Sequence, residues 1–261
     1  MADRDKILRY FKAGGDAELA GQLLDLAEGA RKSRRFRVSG FLDPHGLNVA
    51  EIIGANFPNI KVEQSGGFKN AERMRAAFVS EEYYGEPDFA ITALQVTWDK
   101  RYYDIGHRDV LGAFMGLGCE REILGDIVFN DDGCQLVIDA PMLNFVESNL
   151  LKIGAATVEV KEIPLTELKE KEQKIKLISA TVAALRLDAV AAAGYGVSRS
   201  RMADEIKGQN VRLNWQEAKS PAQAVKEGDV ISFRSRGRVE LSEVRGTTKK
   251  GRFAITVKRY V

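Results

Sequence analysis

The sequence predicts an α+β protein built from several small domains, and three observations support this prediction. The chain has 261 residues, which is enough for two or three domains of ordinary size. Segments with helical spacing of apolar residues alternate with short strand-like runs over residues 3–163. Charge is unevenly divided, because residues 183–261 hold 16 basic and 8 acidic side chains, whereas the first 182 hold 23 and 29. We therefore expect an acidic body followed by a basic C-terminal domain.

The N-terminal region, residues 1–85, is predicted to be a small α/β region. Apolar residues at helical spacing indicate two helices within residues 3–29, separated at Gly14-Gly15. A basic run, RKSRRFR at Arg31–Arg37, follows these helices. The remaining elements are a strand at Phe36–Phe41, a helix at Pro44–Asn56, a strand at Asn59–Gln64 and a strand or short helix at Arg73–Val79.

Residues 86–165 form a middle domain with a regular pattern. Gly118 closes one predicted helix, and Asn130–Gly133 is a turn between two strands. The elements in order are a strand at Phe89–Trp98, a helix at Arg108–Gly118, strands at Asp126–Phe129 and Gln135–Asp139, a helix at Pro141–Leu151 and a strand at Thr157–Ile163. This β-α-β-β-α-β order predicts the ferredoxin-like arrangement, which is also that of RNA-recognition (RRM-like) domains.

The topology of the middle domain favours RNA binding only weakly. RRM domains stack bases on exposed aromatic residues of two central strands. The strands interpreted as central here carry Val128, Phe129, Leu136 and Ile138, without the Lys/Arg-Gly-Phe pattern. Structural packing, or docking to a protein, is therefore favoured over RNA binding through this sheet face.

Composition and motifs disfavour several classes of protein. Cys119 and Cys134 are the only cysteines and form no Cys-x-x-Cys motif, so we expect reduced core thiols. No apolar run approaches the roughly 20 residues that span a bilayer, and the N-terminus has no secretory signal pattern. His107-Arg108-Asp109 invites comparison with kinases, but a Gly-rich loop and a DFG motif are absent. We expect a cytoplasmic protein that is not an enzyme, with no cofactor, metal, small-molecule substrate or membrane partner.

A linker and strand are predicted for residues 166–182, ahead of a C-terminal domain at 183–261. The stretch Leu165–Lys176 is dense in charge, which is typical of a linker, and Ile175–Val182 is predicted to be a strand. The C-terminal domain begins with two short helices joined at Gly194 and Gly196. Further predicted elements are a strand at Val211–Asn214, a turn at Glu227–Asp229, a strand at Val230–Phe233 and a terminal hairpin in which Val239, Leu241 and Val244 face Phe253, Ile255 and Val257.

The second helix of this domain is the predicted centre of phosphate recognition. Ser198 is a suitable N-cap, since its hydroxyl can accept hydrogen bonds from the first helical turn. Free N–H groups at a helix N-terminus favour phosphate, and arginines beside them add positive charge. Asp188 is placed to orient the elbow between the helices or to pair with a neighbouring arginine.

Four short motifs of this domain occur in a fixed order. They are Arg-Leu-Asp at 186–188, Ser-Arg at 198–199, Val-Arg-Leu-Asn at 211–214 and Gly-Asp at 228–229. This order resembles the RNA-binding domain of ribosomal small-subunit protein four, called the S-four domain. That domain often has glycine after the asparagine, where this chain has Trp215. Packing is favoured over base stacking for this tryptophan.

The whole chain resembles the YlmH family, in which an N-terminal α/β region and an RRM-like middle domain precede an S-four domain. The segment Gly106–Ile138 and the extension at 237–261 are similar to segments expected in that family. Cyanobacterial and plant members are labelled photosystem II proteins of this domain type. The resemblance implies cytosolic or plastid RNA binding at the ribosome. In the family this points to the large subunit carrying stalled peptidyl-tRNA, in ribosome rescue or quality control.

The predicted partners are structured RNA (rRNA, tRNA or both) and the ribosomal large subunit. Two alternatives stay open, namely an RNA-modifying enzyme similar to pseudouridine synthases and a protein-docking adaptor. The predicted RNA-binding residues are Arg186, Ser198, Arg199, Arg201, Lys207, Arg212, Asn214, Arg234, Arg236 and Arg238.

Overall fold

The computed structural model describes residues 4–12, 15–169, 175–234 and 236–260. The chain divides into two compact units, Met1–Lys171 and Glu172–Val261. Both units combine helices with antiparallel sheets, which confirms the α+β fold class. In the described part of the chain, no helix has the length and apolar character needed to cross a membrane.

The first unit begins with three helices on a three-stranded antiparallel sheet. The strand order is β1-β3-β2, and the apolar face of α2, with Leu23 and Leu24, packs against Phe78 in the core. Asp43 caps α3, because its carboxylate accepts a hydrogen bond from the Gly46 N–H at 2.9 Å. The elements are α1 (Arg4–Lys12), α2 (Ala17–Ser33), β1 (Phe36–Leu42), α3 (Pro44–Gly54), β2 (Ile60–Ser65) and β3 (Met74–Ser80).

The rest of the first unit has the predicted β-α-β-β-α-β order, with one additional small hairpin. The four-stranded sheet is antiparallel, and Val110 and Phe114 of its first helix are buried on one face. The elements are β4 (Ile91–Thr97), α4 (His107–Gly116), β5 (Leu124–Phe129), β6 (Gly133–Asp139), α5 (Leu143–Asn149), β7 (Lys152–Ile153), β8 (Ala156–Thr157) and β9 (Glu159–Ile163).

The strand order β5-β6-β4-β9 corrects one sequence-based interpretation. The central strands are β4 and β6, whereas β5 lies at an edge. The sequence pattern predicts a central strand for Val128 and Phe129, but these residues lie on the edge strand β5. The error arises because the hairpin β5–β6 does not by itself show which of its two strands pairs with a further strand. That strand is β4, which pairs with β6 and comes from an earlier part of the chain.

The second face of this sheet is buried by other parts of the first unit. Ala93 and Val137 have no exposed surface and pack in one cluster with Phe41 and Leu168. The Gln135 side chain donates to the Glu167 carbonyl at 3.1 Å and accepts from the Lys169 N–H at 2.8 Å. Residues 165–169 therefore pack against this sheet, while the interpretation of residues 165–176 as a linker stays a prediction. Residues 170–174 lie outside the described part.

Buried arginines join the three-stranded sheet to the four-stranded sheet. Arg75 on β3 pairs with Asp139 on β6 at 2.6 Å and donates to the Ser39 carbonyl at 2.7 Å. Arg73, half-buried just before β3, donates to the Leu124 carbonyl on β5 at 3.1 Å and to the Phe41 carbonyl on β1 at 2.6 Å, and burial lowers the pKa of its guanidinium. Burial also lowers the pKa of Arg121 to about 10. These contacts tie the N-terminal region to the middle sheet within one unit, while the domain boundary at residue 85 stays a prediction.

The second unit is a six-stranded antiparallel sheet with two helices. The strand order is β10-β15-β14-β13-β11-β12, and Val190 and Met202 of the helices share a core with Ile231 and Val257. The elements are β10 (Ile175–Val182), α6 (Leu187–Tyr195), α7 (Arg199–Lys207), β11 (Val211–Leu213), β12 (Gln216–Glu217), β13 (Val230–Phe233), β14 (Gly237–Thr247) and β15 (Phe253–Tyr260).

The terminal hairpin forms, with a register that departs from simple alternation. Leu241 pairs with Val257 and Val244 with Ile255, whereas Val239 lies opposite Arg259. The register shifts twice along β14, which is how these apolar residues reach their partners despite uneven spacing in the sequence.

Candidate nucleic-acid interface

The N-terminus of α7 has the geometry that the sequence predicts. Ser198 has an extended backbone, and its hydroxyl accepts a hydrogen bond from the Arg201 N–H at 3.2 Å. Arg199 and Arg201, in the first turn, are both exposed. Helix N-termini carry partial positive charge and unpaired N–H groups. The local arrangement therefore suits an anion such as a phosphate group.

A buried carboxylate orients two of the predicted arginines. Asp188 is 4% exposed and lies within 3.0 Å of Arg199 and 3.3 Å of Arg186. The two arginine side chains remain 49% and 40% exposed. A guanidinium has five N–H donors, so both can contact a further anion while they are held by Asp188. The expectation that Asp188 pairs with a neighbouring arginine is confirmed.

A second pair of motif residues is structural. The Asn214 side chain donates to Asp229 at 2.9 Å and accepts from the Val230 N–H at 2.9 Å. Asp229 is 5% exposed and also accepts from the Lys226 N–H. The four motifs thus form two contacts, one between 186–188 and 198–199 and the other between 211–214 and 228–229. With its amide engaged in this way, Asn214 supports the turn more directly than it offers groups to a ligand.

Trp215 occupies a backbone position that explains why the S-four domain often has glycine there. Leu213 pairs with Gln216, so Asn214 and Trp215 are the two residues of a tight hairpin turn. Their φ angles are 49° and 65°, in the left-handed region that glycine adopts without steric cost. The tryptophan is half-buried in this turn.

The other predicted site residues lie away from the N-terminus of α7. Lys207 is exposed at the far end of the helix, about 12 Å along the axis from Arg199. Arg212 is exposed on β11, between its neighbours Ser232 and Glu217.

Three predicted arginines belong to the β13–β14 hairpin. Arg234 and Arg236 are exposed, and the Arg234 N–H donates to the Asn210 carbonyl at 2.9 Å, just beyond α7. Arg236 lies over the Phe233 ring at 5.5 Å from its centroid. Arg238 is half-buried and lies over Tyr260 at 4.5 Å.

Sequence models of three protein families match successive parts of this chain. "YlmH, N-terminal" matches residues 15–83, "Putative RNA-binding domain in YlmH" matches 85–167 and "S4 domain" matches 185–231. "Ribosome-associated protein quality control protein P2" of Bacillus subtilis (strain 168) is 33% identical over 239 residues, which are 91% of this chain and 93% of that protein.

The chain belongs to the YlmH family. The solved structure of "Cell division protein ylmH from Streptococcus pneumoniae" is similar to it, with a TM-score of 0.51 and 23% identity, and covers 60% of this chain and 95% of that one. At this identity the likeness shows the fold alone.

The S4 domain of this YlmH-family chain, which is the S-four domain of the sequence analysis, contains both motif contacts. The matched residues 185–231 include Asp188 with its partners Arg186 and Arg199, which we call the Asp188 cluster, and the turn at Asn214 and Trp215. The three hairpin arginines lie beyond the end of the match, in the extension that pairs with β15.

Sequence reasoning missed the aromatic residues beneath the hairpin cations. Tyr260 lies under Arg238, and Tyr195 lies 5.6 Å from the Arg259 guanidinium. The Tyr195 hydroxyl is 2.8 Å from the Ile231 carbonyl, and burial raises its pKa. Strand pairing brings Arg238 to Tyr260, and packing of α6 on the sheet brings Tyr195 to Arg259. These residues are far apart in sequence, so no local signal could have found the contacts.

In the YlmH-type middle domain, the sheet face that RRM domains use for stacking is occupied. Ala93, Gln135 and Val137, on the two central strands, are covered as described above, which confirms packing as the role of this face. His107-Arg108-Asp109 begins α4, and the Asp109 carboxylate accepts from the Gly106 N–H at 2.9 Å. Across the described ranges, no cluster of three or more His, Cys, Asp or Glu residues could hold a metal ion.

Proposed function

We propose that this protein binds structured RNA without catalysing a reaction and acts in association with ribosomes in the cytoplasm. The observation that carries the proposal is the Asp188 cluster, in which a buried carboxylate holds Arg186 and Arg199 beside the N-terminus of α7. Its position in an S4 domain supports RNA as the ligand. The name of the Bacillus subtilis relative supports association with ribosomes and a role in quality control. We extend the proposal to rRNA or tRNA at the large subunit, in ribosome rescue or quality control.

The mechanism is electrostatic docking on the RNA backbone. Arg199 and Arg201 neutralise phosphates at the helix N-terminus, while Arg186 extends the same surface. Lys207, Arg212 and the β13–β14 arginines contact further phosphates or 2′-hydroxyls. The major groove of A-form RNA is deep and narrow, so such a surface recognises shape more than base sequence.

The double variant Arg199→Ala/Arg201→Ala tests this docking. We expect weaker binding to purified ribosomal RNA and a decrease of roughly 2 in the slope of log affinity against log salt, since about two phosphate contacts are lost. The matched control is Arg9→Ala/Lys12→Ala, which removes the same charge from exposed positions on α1. An unchanged slope in the first variant contradicts the docking proposal.

Sedimentation of cell lysate tests the ribosomal assignment separately. We expect the protein to migrate with the large subunit at low salt and to leave it at high salt, because phosphate contacts weaken as salt rises. Migration as a free protein under both conditions contradicts ribosome association and leaves RNA binding to the variant experiment. Capture of protein partners that survives RNase treatment would instead favour an adaptor.

A further inference from the structure

The first unit carries a dense group of exposed cations that the S4 domain does not account for. It consists of Arg31, Lys32, Arg34, Arg35 and Arg37, which we call the Arg31–Arg37 patch. All five side chains are exposed, although the first 182 residues hold more acidic than basic groups. The patch is thus a local reversal of the charge around it.

Two elements of the fold bring these cations together. Helix α2 ends at Ser33, and Arg34 adopts a left-handed backbone with φ of 55°, which turns the chain into β1. A Cβ atom placed on Gly29 would lie 3.5 Å from Cγ of Arg37. The stem of Arg37 therefore packs over the last turns of α2, and the strand cation joins those of the helix.

The patch is only partly neutralised. Lys32 lies 3.8 Å from Glu28 and Arg34 lies 3.4 Å from Glu82, and both cations are more than 70% exposed. Exposed pairs of this kind hold their partners weakly. In the described parts of the chain, the three remaining arginines form no ion pair; they are Arg31, Arg35 and Arg37.

Structural roles explain part of this composition. Cations in the last helical turn interact favourably with the helix dipole, which accounts for Arg31 and Lys32. That effect fades within one turn, so it does not account for Arg35 and Arg37 on and before β1. β1 is an edge strand, where a charged side chain such as that of Arg37 discourages unwanted pairing, whereas Arg35 precedes the strand. In the described residues, these exposed arginines without an ion pair exceed what the structural roles explain, and such a group suits a polyanionic ligand.

We propose that the Arg31–Arg37 patch is a second phosphate-binding surface, which contacts the backbone of structured RNA. The inference rests on the proposed function, to which it adds a contact outside the S4 domain. Arginine suits this role because its planar fork matches two phosphate oxygens at once. All five side chains of the patch are exposed, so the patch fits a repeating phosphate backbone and not the enclosed site that a single small phosphate ligand would need.

The test compares three variants of the full chain on a labelled RNA hairpin across a salt series. Arg31→Gln/Arg35→Gln/Arg37→Gln is expected to lower the salt slope by roughly 2 to 3, at about 0.9 for each phosphate contact. The triple lysine variant at the same positions keeps the charge and should retain most of the slope. Arg9→Gln/Lys12→Gln/Arg101→Gln removes equal charge elsewhere and should leave the slope nearly unchanged.

The outcomes separate this inference from the proposed function. If the unaltered chain binds no RNA, the proposed function fails and the patch proposal fails with it. If Arg199→Ala/Arg201→Ala lowers the slope and the glutamine variant does not, only the patch proposal is overturned. Equal loss in the lysine and glutamine variants, with lower melting temperatures, shows a structural role and also overturns it.

A measurement on the unaltered chain covers the case in which the glutamine variant does not fold. Lys32 is acetylated with and without the RNA hairpin, and its modification rate is followed by mass spectrometry. We expect RNA to slow acetylation of Lys32 several-fold, while Lys12, exposed on α1, serves as the reference. Equal rates at Lys32 with and without bound RNA contradict the patch proposal.

Discussion

Arginine has different roles in the two units of this protein. In the first unit, Arg75 is 8% exposed, and its donors are used by Asp139 and by backbone carbonyls. In the second unit, Arg186 and Arg199 share one buried carboxylate and remain nearly half exposed. Both arrangements pair arginine with aspartate. The buried member is the cation in the first unit, where the Asp139 side chain is 27% exposed, and the anion in the second.

This difference decides what each ion pair can do. A buried arginine whose Nε and Nη1 groups bond to protein oxygens holds two sheets together and presents little of its guanidinium to a ligand. A buried aspartate beneath half-exposed arginines fixes their direction and leaves donors in solvent, which is the preorganisation that phosphate recognition requires. Burial of the guanidinium, and not the residue type, distinguishes the structural from the ligand-facing arginine.

The largest expected effect is on stability, when the buried Arg75 is separated from Asp139. Arg75→Gln leaves Asp139 without its partner and several carbonyls without donors, so we expect a loss of about 3 kcal/mol in the free energy of unfolding of the first unit. Urea denaturation followed by circular dichroism measures it. Arg101→Gln, which breaks the exposed pair with Asp99, should leave the transition nearly unchanged. Equal losses of unfolding free energy in Arg75→Gln and Arg101→Gln would contradict the structural role assigned to the buried arginine.

The next effect tests orientation against net charge in the second unit. Asp188→Asn removes a negative charge near the proposed phosphate site, which by charge alone would strengthen RNA binding. We expect several-fold weaker binding instead, because Arg186 and Arg199 lose the anion that orients them. Asp204→Asn removes one negative charge from an exposed position on α7 and is the control. Tighter binding by Asp188→Asn in an RNA titration would contradict the orienting role.

The smallest expected effect is at Trp215, and it tests whether an aromatic side chain contributes to RNA binding in addition to the cations. Trp215→Gly relieves a left-handed backbone but loses the contacts of a half-buried ring. These contributions are each about 1 kcal/mol and opposite in sign, so we expect a net change of less than about 1 kcal/mol in thermal or urea unfolding. RNA affinity should not change if the tryptophan only packs. Asn214→Gly, at the neighbouring left-handed residue, should destabilise because it loses its bonds to Asp229 and Val230. Weaker RNA binding by Trp215→Gly would show that the ring stacks on a base.

Much of the fold was predictable because its signals are local. Periodicity placed the helices and strands, and the Ser198 cap follows from one residue type before a helical run. The four motifs of the C-terminal domain indicated the candidate site. Asp188 was predicted to orient the elbow or to pair with a neighbouring arginine, and the pairing is observed. Each of these features depends on residues within a turn or two of chain, or on a motif that carries its own spacing.

The sequence by itself determined the α+β class, the element order and the basic C-terminal domain. The tertiary structure alone decided that β5 is an edge strand, that the middle sheet is covered on both faces and that Leu168 belongs to a core. It also decided which arginines are buried and which stay in solvent. The physical reason is that burial depends on contacts between distant segments, whereas periodicity and capping depend only on neighbours along the chain.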